Sequence, residues 1–193
     1  MKVDLTFPLT SELMRKFIKM SLDGNFDKFG HFGTHFDVMN KEFPLEYCER
    51  DGVIFDVSHI HDRDIEASDI NLDFVQRNSF VLVRTGMIDR SEYASQEYFK
   101  EHPQLSHVLL RQLIEKRVSM IGIDMAGVRR GNEHAIADQL CADNGVFIIE
   151  NLVNLSKVIQ EANTGKTFIV HTYPMNLKGY TGLPSRVVAE FRD

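Results

Sequence analysis

Six short apolar runs, each about as long as a strand and most of them next to turn residues, restrict the fold more than any other feature. VIFDV at residues 53–57 follows the turn pair Asp51-Gly52, and VFII at 146–149 follows Asn144-Gly145. SFVLVR (79–84), SMIGI (119–123), TFIVHT (167–172) and RVVAEF (186–191) complete the set. SFVLVR is a continuous apolar core, as expected of a strand covered on both faces. Helical spacing fills the intervals. Ser91 is placed to cap a helix running to about His102, and Ser106 to cap a second, with Val108, Leu109, Leu110, Leu113, Ile114 and Val118 in register. A third helix is predicted over 132–143, with Ile136 and Leu140 as its apolar stripe, ending before Asn144-Gly145. Residues 61–75 carry many acids and no firm period. Strands interleaved with helices predict an α/β or α+β architecture with helices packed on a sheet.

The chain of 193 residues is long enough for one domain with a sizeable core, and no repeat or linker-like stretch divides it. One domain is therefore expected over residues 1–193. The net charge of −6 argues against nucleic acid as a partner, because phosphate binding needs a basic face. The densest basic spot, Arg129-Arg130, is expected in a solvated loop. No stretch approaches the roughly 20 apolar residues that span a bilayer. The opening MKVDLTFPL lacks the apolar segment of a secretory signal. A cytoplasmic location without membrane partners is the expectation. Cys48 and Cys141 are isolated and are expected as small buried apolar residues rather than a disulfide.

The chemically informative segment is His31-Phe32-Gly33-Thr34-His35-Phe36-Asp37. Two imidazoles and a carboxylate within seven residues can supply three ligands to one divalent ion and leave a position open for water. Gly33-Thr34 between aromatic residues is poor helix chemistry, so the segment reads as extended, with 31, 33, 35 and 37 on one face. A straight strand would hold the two His Cα atoms about 13 Å apart, so a bend at Gly33 is expected. Thr34 is a candidate to orient a ligand, and Phe32 and Phe36 to wall an aromatic pocket. His59 and His61 in SHIHD resemble a ligand pair but read equally well as edge-strand residues; His102, His107 and His171 read as isolated histidines.

HFGTHFD resembles the start of the cyclase-family signature H-x-G-T-H-x-D-x-P-x-H. VLVRTGM (81–87), IGID (121–124) and FIIENL (147–152) are similar to further family segments and follow in the family's order. The resemblance spans residues 30–155. It implies a single swivelling β/β/α domain of the α/β class, and a metal-dependent hydrolase like bacterial kynurenine formamidase (arylformamidase) or isatin hydrolase. It further implies His31, His35 and Asp37 as metal ligands and Glu150 as the acidic ligand of the E-N-L segment. Where the family continues x-P-x-H, this chain reads Val38-Met39-Asn40-Lys41, and the gapless match to a later family histidine is Asp138, with His134 one helical turn before it.

These departures lead to a specific expectation. One divalent metal, zinc before manganese, sits on His31, His35 and Asp37. The Lys41 ammonium replaces a second ion among Asp37, Asp138 and Glu150. A metal-activated water then opens a formamide or cyclic amide, with Glu150 as general base, Lys41 as charge stabiliser and Asp138 beside them. Expected partners are a small-molecule amide and further copies of the chain, as a homodimer or homotetramer. The alternative is a family member that binds a small molecule or metal without turnover.

Overall fold

The computed structural model describes residues 1–23 and 29–192. In chain order the elements are β1 (Lys2–Asp4), α1 (Ser11–Leu22), β2 (His35–Asp37), β3 (Glu49–Asp56), β4 (Phe80–Arg84), α2 (Met87–Arg90), α3 (Gln96–Lys100), α4 (His107–Glu115), β5 (Met120–Ile123), α5 (His134–Asp143), β6 (Phe147–Glu150), α6 (Leu155–Ala162), β7 (Phe168–Pro174) and β8 (Gly182–Phe191). Single 3-10 turns precede β3 and occupy part of the acidic stretch 61–75.

The strands run β8-β2-β6-β5-β4-β3-β7, and β7 pairs back onto β8, so seven strands close a barrel; β1 adds to the outside of β8. The β3-β4, β4-β5 and β5-β6 pairs are parallel and the others antiparallel. Closure removes exposed edges.

The continuous apolar runs are explained by two cores, one on each side of the barrel wall. Phe80 and Leu82 of β4, Met120 of β5, and Phe147 and Ile149 of β6 point inward among Phe36, Val170, Val187 and Ala189. The alternate residues Val81, Val83, Ile121, Ile123 and Ile148 point outward against Leu109, Leu110 and Leu113 of α4 and Ala137 and Cys141 of α5. Period-two alternation with both sets apolar is what a parallel strand beneath helices requires. Gly122 faces the crowded interior, where a Cβ would come within 2.8 Å of Leu152, Phe80 and Leu82.

The RTG and IGID segments owe their positions to structure. Asp124, just past β5, accepts hydrogen bonds from the Thr85 N–H at 2.8 Å, the Thr85 hydroxyl at 2.7 Å and the Gly86 N–H at 2.7 Å. It thereby ties the turn after β4 to the end of its neighbour.

Several expectations are corrected. Ser91 ends α2 instead of opening a helix, its N–H donating to the Met87 carbonyl; Ser95 caps α3 by accepting from the Tyr98 N–H. Ser106 caps α4 as expected. Ile136 and Leu140 are exposed, because α5 buries the adjacent row Ala137, Asp138, Cys141 and Ala142. Cys141 is buried, but Cys48 is only half-buried. Arg129 is buried rather than solvated, held by Asp64 and Glu133. Helices α1 and α6 and strand β1 lie outside the expected set. Among the described residues no helix is long and apolar enough to cross a membrane.

Candidate metal centre

The site forms where the carboxyl end of β6 meets the amino end of β2. These strands are antiparallel, and His35 is the register partner of Glu150. Within β2, His35 and Asp37 share a face while Phe36 points into the barrel and is fully buried, so Phe36 does not wall the site. The expected bend is at Gly33, whose φ is +57°. It returns the chain so that the His31 and His35 rings lie 5.1 Å apart. Gly182 gives His31 room: a Cβ there would come within 2.6 Å of the imidazole.

Each imidazole is oriented by its second nitrogen. His35 Nδ1 lies 3.0 Å from the Gly33 carbonyl, which can only accept, so Nδ1 carries the proton and Nε2 is left with a lone pair. That Nε2 lies 3.6 Å from Asp37 Oδ1 and 3.6 Å from Glu150 Oε2. His31 Nε2 is 2.8 Å from the Thr181 hydroxyl, with Nδ1 turned to Asp37 Oδ1 at 2.8 Å.

Two residues to which the sequence reading gave no role hold this geometry, although Asn151 lies in the FIIENL segment. Asn151 Nδ2 donates to the Gly33 carbonyl at 2.9 Å and its Oδ1 accepts from the Tyr98 hydroxyl at 2.7 Å. Tyr93 Oη accepts from the Gly33 N–H at 2.7 Å. Thr34 does not touch a ligand; its hydroxyl donates to the Asn151 carbonyl and accepts from the Phe7 N–H, each at 2.8 Å, stitching three segments together. No local periodicity marks Asn151 or Tyr93, because both act through contacts more than fifty residues away in the chain.

His134, one turn before Asp138 on α5, reaches the same place. Its Nε2 is 3.1 Å from Asp138 Oδ2 and 3.4 Å from Glu150 Oε1. Lys41 does not. Its Nζ lies 2.7 Å from Asp143 Oδ1 at the far end of α5, partly exposed, so the expected ammonium among Asp37, Asp138 and Glu150 is not formed. The cause is local: β2 stops at Asp37, Met39 takes φ +55°, and the Lys41 N–H donates to the Val38 carbonyl in a turn that carries the side chain outward. His59 and His61 are exposed and His102, His107 and His171 lie outside the cluster.

The electrostatics of the cluster call for a cation. Asp37, Asp138 and Glu150 are all buried; among the described residues Asp37 Oδ2 and Asp138 Oδ1 have no hydrogen-bond partner, and Asp37 Oδ1 and Glu150 Oε1 face only the imidazoles of His31, His35 and His134. Burial opposes charge on Asp37, but His35 and His31 beside it outweigh that and hold its carboxyl far below the usual range. Burial, with Asp37 alongside, raises Asp138 to about 6 and Glu150 well above an ordinary carboxyl. Asp138 raises His134 above an ordinary imidazole. Among the described residues two groups of three have the spacing of metal ligands, His31-His35-Asp37 and Asp37-His134-Glu150, and they share Asp37. Buried carboxylates that converge with an imidazole lone pair, two of their oxygens without a partner among the described residues, fit a hard or borderline divalent cation.

The cluster opens into a cavity of about 810 Å³ whose walls include Phe17, Phe32, Tyr93 and Phe99. Its rim includes Arg130.

A closed mixed barrel with a buried histidine–carboxylate cluster at one end defines an α/β protein with a candidate divalent-metal cleft. The chain belongs to the cyclase family, whose profile matches residues 3–129, including His31, His35 and Asp37. A solved structure of a potential metal-dependent hydrolase with cyclase activity is 28% identical, with a TM-score of 0.66, covering 85% of this chain and 78% of its own. A predicted metal-dependent hydrolase from Bacillus stearothermophilus is 22% identical with a TM-score of 0.69, over 98% and 97% of the two chains. Isatin hydrolase A from Labrenzia aggregata is 22% identical with a TM-score of 0.68, over 83% and 73%. The last two establish likeness of fold. No curated protein sequence matches the chain.

Proposed function

We propose that the chain is a metal-dependent hydrolase that opens a carbon–nitrogen bond of a small amide, a formamide or a lactam, in the manner of an arylformamidase. The observation that carries the reading is the set of buried carboxylates and imidazoles whose ligand atoms converge in an open cavity, with Asp37 Oδ2 and Asp138 Oδ1 lacking a partner among the described residues. His31, His35 and Asp37 would hold a divalent ion, zinc or manganese. Such an ion polarises a carbonyl and lowers the pKa of a coordinated water to about 7.

The chain's own groups supply the rest. Glu150, buried within the cluster, would be kept ionised by a cation bound beside it and is placed to take a proton from the attacking water. His134, held by Asp138 and inclined to stay protonated, is placed to give a proton to the leaving nitrogen. Asp138 is a positioning residue for that imidazole. Tyr93 Oη accepts from Gly33 and has no acceptor for its own proton among the described residues, so it is free to donate to the carbonyl oxygen as negative charge grows there. Lys41 has no part in this scheme.

A second ion on Asp37, His134 and Glu150 is the competing arrangement, because those ligand atoms also converge. It would take His134 out of proton transfer. Metal content separates the two. Purified protein should carry about one ion per chain and His35→Ala none; about two ions, with one lost in His134→Ala, would assign His134 as a ligand. No metal after supplementation, together with no turnover of formamides, lactams or esters, would replace the hydrolase by a binding protein.

A further inference from the structure

Arg129 and Arg130 are adjacent but differ in their surroundings. Arg129 is neutralised by Asp64 and Glu133. Arg130 has no carboxylate partner among the described residues. Its backbone N–H donates to Gln104 Oε1 at 2.9 Å, and its Nη1 to the Lys100 carbonyl. The guanidinium carries five N–H donors, and no bond from Nε or Nη2 is made among the described residues. Among the described residues it is the only Lys or Arg lining the cavity that the metal cluster opens into.

The rest of that lining separates into two kinds. The floor is acidic and imidazole-bearing, from Asp37, Glu150 and His134; the walls are aromatic, from Phe17, Phe32 and Tyr93. A neutral apolar amide would need no cation at the rim. Among the described lining residues the Arg130 guanidinium is the one permanently charged cationic side chain, so an anionic group entering the cavity would be drawn to it. A guanidinium anchored at one nitrogen, with its remaining donors uncommitted, has the planar geometry that grips a carboxylate through two parallel hydrogen bonds.

We propose that Arg130 is the specificity-determining residue of this cavity and that its ligands are aryl compounds bearing a carboxylate. The carboxylate lies on the guanidinium, the ring lies between the aromatic walls, and the reacting amide faces the metal cluster. The last clause rests on the hydrolase reading; the carboxylate site does not.

Binding measurements test it without a substrate. Titrating the zinc-loaded full chain with aryl carboxylates from benzoate to 4-phenylbutyrate, and with their carboxamides, should show at least one acid binding roughly tenfold or more tighter than its amide. Arg130→Gln should erase that preference while keeping the melting temperature within a few degrees, and His35→Ala should retain it. Equal affinity for acids and amides, or an acid preference unchanged in Arg130→Gln, would overturn the assignment. A preference lost only in His35→Ala would place the carboxylate on the metal and overturn it too, leaving the hydrolase reading intact. An Arg130-dependent preference in a protein that hydrolyses no amide would uphold the site and remove the hydrolase.

Discussion

His35 Nδ1 and the Gly33 carbonyl lie 3.0 Å apart, so the residue that bends the ligand segment also fixes the tautomer of one of its imidazoles. Asn151 Nδ2 shares that carbonyl at 2.9 Å. Asn151→Ala removes a support of the Gly33 peptide, leaves the Tyr98 hydroxyl without its acceptor, and puts Ala at φ +61°. Metal affinity should fall by about 10- to 100-fold and stability by about 2 to 3 kcal/mol. Competition with a chromophoric chelator and urea unfolding measure the two; unchanged metal affinity would separate Asn151 from the site.

Tyr93→Phe keeps the aromatic wall but removes the phenol proton and the acceptor for Gly33 N–H. Burial raises the Tyr93 phenol to about 12, so it remains a donor throughout the neutral range. On an amide that the parent hydrolyses, kcat should drop by about 100-fold with KM within about twofold. A rise in KM alone would mean that the hydroxyl binds ground state and transition state equally.

Lys41 pairs with Asp143 at the surface, both side chains at least a third exposed. Lys41→Ala should change stability by less than about 0.5 kcal/mol and leave metal content and turnover as they are. A gain of one metal ion per chain in Lys41→Ala would show the ammonium reaching the cluster after all.

His102 is buried, with Nδ1 2.8 Å from the Pro103 carbonyl and Nε2 without a partner among the described residues. Burial, aided by nearby Arg130 and His134, lowers its imidazole from 6.5 to about 4. The unfolded chain therefore takes up this proton before the folded chain does. The contribution is complete above pH 6.5 and is lost as pH falls to about 4, to the extent of about 3 kcal/mol. Urea unfolding in EDTA at pH 7 and pH 4.5 should show a smaller acid loss for His102→Gln than for the parent, by about 2 to 3 kcal/mol. Equal losses would mean that His102 protonates as easily folded as unfolded.

The sequence by itself determined what is local. Residues whose spacing carries their meaning are legible: the apolar runs that became β3 to β8, the Ser106 cap, and His31, His35 and Asp37, which share one bend because Gly33 separates them by only a few bonds. Family likeness added Glu150, and the structure sets it opposite His35 as a register partner. What tertiary structure decided depends on directions that accumulate along the chain. One residue at positive φ, Met39, sent Lys41 away from the cluster. The rotation of α5 about its axis buried Asp138 beside Glu150, turned His134 toward it and exposed Ile136. Barrel closure then brought Tyr93, Arg130 and Asn151 to one cavity from three separate connections, a convergence with no period along the chain to announce it.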